Sequence, residues 1–258
     1  MAINTRDNPI DLSLVIPSIR PEKINRLIDS IPAAIGEYTY EIILIGNYQP
    51  NFDCLYLEDL GSPSRCVQRG AAEAKGKFMK WSTDDGIYNP NSLKDILDIA
   101  YTLDEKDGII AKYTEEGPAN WITGADDQYY TAWTHADQRM AGIPEDFKIA
   151  PVAVYNTEYF KAIGGLDCQF EHINMNTHDL AFRVQKNGGT FRFSPAVVMH
   201  CDSRNFNSDE HIPLDSAYQL NDLPKFMALY DSIDAAKDRI VIDYDTWQDS
   251  PSPWRRFK

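Results

Sequence analysis

Ser64-Arg65-Cys66-Val67-Gln68-Arg69-Gly70-Ala71-Ala72-Glu73-Ala74-Lys75-Gly76-Lys77-Phe78-Met79-Lys80-Trp81-Ser82-Thr83-Asp84-Asp85-Gly86 is the stretch whose reading decides the fold. Ser62 or Ser64 offers a side-chain cap for a helix over 64–74, and Gly76 offers a stop. Phe78 to Trp81 then reads as a short buried strand that releases two carboxylates, Asp84 and Asp85, just before Gly86. Carboxylates at the carboxyl end of a strand stand where open α/β sheets form ligand clefts. Hard cations such as Mg²⁺ and Mn²⁺ take such oxygen ligands and bridge nucleotide phosphates. Taken alone, the pair also reads as an acidic turn, since two adjacent Asp before a Gly arise often by chance.

The flanks repeat the alternation. Leu12 to Ile16 is an apolar, β-branched run closed by Pro17 and Ser18, and Ile24, Leu27, Ile28 and Ile31 follow at helical spacing. Tyr40 to Ile45 and Cys54 to Leu57 predict two further strands, and a helix begins near Pro90 to Ser92. Strands are predicted at Ile109 to Lys112, Pro151 to Tyr155, Phe191 to Phe193 and Ala196 to Met199, with helices over Glu158 to Ile163 and Asp179 to Lys186. Residues 113–147 mix Gly, Pro, aromatic and acidic residues without a period, with one helix expected near Tyr129 to Met140. Beyond His211 an amphipathic helix is expected over Leu223 to Ile233. The reading is an α/β fold with a mixed, mostly parallel sheet flanked by helices. The division is 1–212 for the main domain and 213–258 for a helical extension and tail.

The 258 residues carry 39 acidic against 25 basic side chains, a formal charge of −14, which opposes nonspecific binding to nucleic acid. Cys54, Cys66, Cys168 and Cys201 are too far apart for a zinc or disulfide pattern and read as reduced thiols. No run has the length of a signal peptide or membrane span, so a cytoplasmic protein is expected. Trp254-Arg255-Arg256-Phe257-Lys258 leaves room for peripheral membrane contact, with a disordered tail as the alternative.

Several blocks in order resemble family 2 glycosyltransferases of the GT-A fold. They are Leu12 to Ser18, the quoted 64–86 stretch with Pro90 to Leu93, Ile163-Gly164-Gly165-Leu166-Asp167, and Thr177-His178-Asp179-Leu180-Ala181-Phe182-Arg183-Val184. The resemblance implies an inverting transfer of sugar from a nucleoside-diphosphate sugar, a UDP-sugar first among them, to a hydroxyl of a glycan, lipid-linked or protein acceptor. It implies Mn²⁺ or Mg²⁺ held by Asp85 with His200, and Asp179 as general base with His178 beside it. Pro17, Ser18, Arg20, Asn47, Arg65 and Asp84 fall where the nucleotide is contacted. Trp121, Tyr129, Tyr130 and Trp133 offer flat faces for an acceptor, with core packing as the alternative.

Three departures stand out. Thr83 occupies the usual first Asp of the Asp-x-Asp motif, His178 replaces a Glu, and Gly46-Asn47 replace an acidic residue near the nucleobase. A catalytically inactive nucleotide-sugar binder or scaffold of the same fold is therefore a rival reading. A nucleotidyltransferase is a second rival, but Ser18-Ile19-Arg20-Pro21 lacks the glycine-rich loop it needs.

Overall fold

The computed structural model describes residues 9–59, 61–116, 122–123, 147–202, 216–230 and 239–244. Within them one nine-stranded sheet forms the spine, in the order β3-β2-β1-β4-β8-β6-β9-β5, with β7 paired to β6. The strands are β1 (Leu12–Ser18), β2 (Tyr40–Gly46), β3 (Leu55–Glu58), β4 (Phe78–Trp81), β5 (Gly86–Tyr88), β6 (Gly108–Glu116), β7 (Ile122–Thr123), β8 (Ala153–Asn156) and β9 (Phe191–Asp202). β1, β2, β3, β4, β6 and β9 run one way; β5, β7 and β8 run against them. The expected mixed, mostly parallel sheet is therefore present.

The helices are α1 (Pro21–Ile35), α2 (Pro63–Glu73), α3 (Ser92–Ala100), α4 (Thr157–Ala162), α5 (Ile173–Lys186) and α6 (Leu223–Tyr230), the last preceded by a wide turn over Tyr218–Asp222. Each face of the sheet buries its own apolar set. α1 and α3 place Leu27, Ile31, Leu93 and Leu97 on one side, while α2, α4, α5 and α6 place Val67, Phe160, Phe182 and Phe226 on the other. Phe226 and Tyr230 of α6 pack on Phe182, with ring centroids 6.2 and 5.5 Å away, so the described part of the C-terminal extension shares the main core.

Two boundaries differ from the sequence reading in ways that matter for the site. α5 begins at Ile173 rather than Asp179, capped by the His172 side chain accepting from Asn174 N–H. Asn174, Asn176 and Thr177 are weak helix formers and His172 is an unusual cap, so propensity hid the first turn. Asp179 thus lies in the second turn. The two strands expected at Phe191–Phe193 and Ala196–Met199 are one strand, β9, which passes through Pro195 with a register irregularity against β6. Pro195 has no N–H to give the ladder, and at the irregularity Lys112 N–H donates to the Ser194 hydroxyl oxygen at 2.9 Å. The helix expected near Tyr129 to Met140 lies outside the described residues, as do Trp121, Tyr129, Tyr130, Trp133 and the Trp254 to Lys258 ending.

Candidate active site

The parallel register brings the ends of β1, β2 and β4 side by side, with Ser18 opposite Gly46 and Val15 opposite Trp81. The loop after β4 therefore folds over the end of β1, and its carboxylates meet the first loop of the chain. Ser18 Oγ donates to Asp84 Oδ2 at 2.8 Å, and Arg20 Nε donates to the same oxygen at 3.1 Å. The Arg20 guanidinium also bonds Asp84 Oδ1 and reaches Asp85 Oδ2 at 3.1 Å, so one cation bridges both carboxylates. Burial works against the charge on Arg20, but the hydrogen bond and proximity of Asp84 outweigh it and hold the guanidinium firmly protonated.

Thr83, the departure from the Asp-x-Asp motif, donates its hydroxyl to Asp85 Oδ1, and its place preceding the motif core is therefore filled by a neutral oxygen. Tyr48 was not foreseen. Its hydroxyl shares a 2.8 Å hydrogen bond with Ser18 Oγ, and burial raises its pKa to about 12, which keeps it a neutral donor. Its position two residues past the end of β2 is the only cue the sequence carries. Asn47 is exposed at the same strand end and Pro17 is half-buried within β1. Gly46 has a steric reason to be glycine: a Cβ there would stand 2.1 Å from the Ser18 carbonyl oxygen.

Behind the loop lies Lys80, wholly buried, donating to the Trp81 carbonyl at 3.0 Å and to Tyr88 Oη at 3.2 Å. Burial lowers its pKa to about 8. Tyr88 Oη in turn shares a 2.8 Å bond with Ser82 Oγ, which stiffens the stem of the Asp84–Asp85 loop.

His200 lies on β9 directly opposite Ile87, and two residues on, Asp202 N–H donates to the Asp85 carbonyl at 3.2 Å. Its Nδ1 pairs with the Thr114 hydroxyl. Among the described residues no three His, Cys, Asp or Glu side chains gather as a metal-binding group. Arg65 is drawn elsewhere. It is buried in the first turn of α2, where its Nη2 donates to the Cys168 carbonyl at 3.4 Å and its Nε stands 3.6 Å from Glu171.

Asp179 belongs to a different polar cluster. Arg183 Nε donates to its Oδ2 at 2.8 Å, while Tyr230 Oη at 2.5 Å and Arg239 Nε at 2.6 Å share its Oδ1. Burial pushes its pKa up, but Arg183, Arg239 and Tyr230 together hold it below the ordinary carboxylate value. With both oxygens engaged and no exposed surface, it meets no solvent in this arrangement. Burial lowers the His178 pKa to about 3, so its ring is neutral, and it packs edge-on against Phe226 at 6.3 Å. Gly164 and Gly165 turn the chain with φ of 98° and 60°, which a side chain would strain.

Compared with protein-family models and with curated proteins, the sequence matches none. Solved structures do match. Residues 1–349 of S. aureus TarS in complex with UDP align at a TM-score of 0.52 and 14% identity, over 86% of this chain and 70% of that one. GalNAc-T7 with UDP, GalNAc and Mn²⁺ aligns at 0.59 and 12%, over 95% of this chain. The fold is that of a GT-A glycosyltransferase. The chain spans 57% of GalNAc-T7 and 43% of the longer TarS structure. Among the described residues no helix is long and apolar enough to cross a membrane.

Proposed function

We propose that this chain transfers a sugar from a nucleoside-diphosphate sugar, with UDP as the nucleotide, to an acceptor hydroxyl. The observation that carries the reading is the Ser18–Arg20–Asp84–Asp85 network at the carboxyl edge of parallel strands, in a fold whose neighbours TarS and GalNAc-T7 hold UDP. In this reading Tyr48 and Asn47, at the end of β2, would meet the nucleobase, and Ser18 and Arg20 would meet the phosphates. Arg65, turned toward Glu171, serves instead to fasten α2 to the segment before α5.

A divalent cation fits the donor set. Asp85, Asp84 and the Thr83 hydroxyl are all hard oxygen groups, and Arg20 already lays a positive charge across both carboxylates. Asp85, with His200 from the adjacent β9, would hold the ion. When bound, Mn²⁺ or Mg²⁺ supplies charge neutralisation for the leaving diphosphate. Arg20 then becomes free to donate to a phosphate oxygen, exchanging carboxylate partners for the ligand. Asp179 takes the hydroxyl proton as the general base of an inverting transfer, which requires Arg239 to withdraw from its Oδ1.

The test is calorimetric titration of UDP with and without Mn²⁺, followed by a panel of UDP-sugars assayed for release of UDP. Wild-type protein is expected to bind UDP more tightly with Mn²⁺, and Asp85→Ala to lose that dependence. Absence of nucleotide binding under both conditions overturns the proposal. Tight binding with no turnover on any sugar or acceptor makes the chain a nucleotide-sugar binder instead.

A further inference from the structure

Residues 239–244 lie across the body as a short strap whose hydrogen bonds reach the turn between α4 and α5, Asp179 of α5 and Gln68 of α2. Arg239 Nη2 bonds Asp167, and its Nε bonds Asp179 at 2.6 Å. Ile242 N–H donates to the Ile163 carbonyl at 3.2 Å. The Ile242 side chain covers Gly164 so closely that a Cβ there would meet its Cγ1 at 2.3 Å. Gln68 Nε2 donates to the Tyr244 carbonyl at 3.0 Å, and Tyr244 Oη donates back to the Gln68 carbonyl at 3.0 Å.

The surface under the strap offers mainly acceptors, two carboxylates and the Ile163 and Gln68 carbonyls, with Gln68 Nε2 as a donor, beside a side-chain-free patch at Gly164. The strap supplies the matching donors, a guanidinium and an amide, and an apolar group over the patch. A sugar ring presents that same set, hydroxyl donors around its rim and a C–H face.

We propose that the Arg239–Tyr244 strap occupies the acceptor-binding groove as an intramolecular stand-in, so that the strap and a hydroxyl-rich acceptor compete for Asp167, Asp179 and the Gly164 patch. The inference rests on the sugar-transfer reading and adds two things to it. The chain holds itself in a closed state, and it selects acceptors that are neutral or basic, because displacing Arg239 removes the guanidinium that bridges both carboxylates. An anionic acceptor meets like charge there.

If the strap is closed in nine molecules of ten, the acceptor binds about tenfold more weakly than to the open groove. Ile242→Asp and Arg239→Gln, in the full chain, are expected to lower the KM for neutral methyl glycosides by about that factor and to raise hydrolysis of the UDP-sugar by water, with UDP affinity unchanged. Hydrogen exchange on the wild-type chain gives a second readout that needs no turnover. Methyl glycosides at saturating concentration are expected to speed exchange across 239–244. Variants that bind UDP normally yet show unchanged or raised KM overturn the strap proposal, as does exchange that glycosides leave unaltered or slow. Failure of the wild-type chain to bind UDP strikes the sugar-transfer reading instead and leaves the exchange measurement to decide the strap.

Discussion

Lys80 offers a quantitative check on the ground beneath the Asp84–Asp85 loop. Its ammonium is wholly buried, with the Trp81 carbonyl and Tyr88 hydroxyl as hydrogen-bond partners, and its pKa falls from 10.5 to about 8. The folded state therefore releases this proton at lower pH than the unfolded chain does. Between pH 8 and 10.5 the unfolded state carries more protons, so this group adds stability as pH rises and weighs against folding at pH 7. The displacement corresponds to roughly 3 kcal/mol in full, of which about 2 to 3 kcal/mol is expressed between pH 7 and pH 10. Lys80→Met keeps most of the volume and deletes the titration. It also forfeits two hydrogen bonds, at about 1 kcal/mol each, but that loss does not vary with pH in this range. Urea unfolding of both proteins, followed by circular dichroism at pH 7, 8, 9 and 10, isolates the effect in the difference between their free energies. The variant is expected to gain on the wild type at pH 7 and to surrender about 2 to 3 kcal/mol of that advantage by pH 10. A difference that stays flat, or grows with pH, refutes the argument that a buried, charged lysine underlies the loop.

Asp179→Asn leaves Arg183 and Arg239 without their shared carboxylate, and a loss of about 3 to 5 kcal/mol is expected in urea unfolding at pH 7, together with loss of transfer and retention of UDP binding by the folded fraction. Because the folded Asp179 pKa lies below the unfolded value of 3.8, its contribution is full above that value and is lost as pH falls through the folded one; the gap between wild type and variant should close in strong acid. Gly46→Ala drives a Cβ into the Ser18 carbonyl and is expected to cost about 1 to 3 kcal/mol, measured by thermal unfolding, and to weaken UDP binding through the displaced Ser18–Arg20 loop. Wild-type UDP affinity in a folded Gly46→Ala protein would detach that loop from the proposed nucleotide site.

The alternation of strands and helices was readable because each element carries its own period: Leu12 to Ile16 as an apolar run broken only by Ser13, Ile24, Leu27 and Ile31 about one helical turn apart. Asp84 and Asp85 were readable as a candidate site because they follow a strand at its carboxyl end, and Ser18 and Arg20 became candidates through the resemblance carried by the first strand and its loop. Position along an element is a local property, and local chemistry encodes it.

What a local reading could not supply is which side chain takes which partner. Arg65 and Arg20 carry the same guanidinium, but the register of β1 against β4 hands Arg20 to Asp84, while the seat of α2 against the turn before α5 hands Arg65 to Glu171. Asp179 reads as the residue that opens a helix; only the fold buries it against Arg183 four residues on, Tyr230 of α6 and Arg239 of the strap. The sequence by itself determined the layered α/β architecture and the acidic loop at the sheet's edge, since both follow from apolar periodicity and the placement of charges along single elements. The tertiary structure alone decided that Tyr48 joins that loop and that Arg239 seals Asp179, because those contacts join residues 30 and 60 positions apart and depend on packing that no short stretch records.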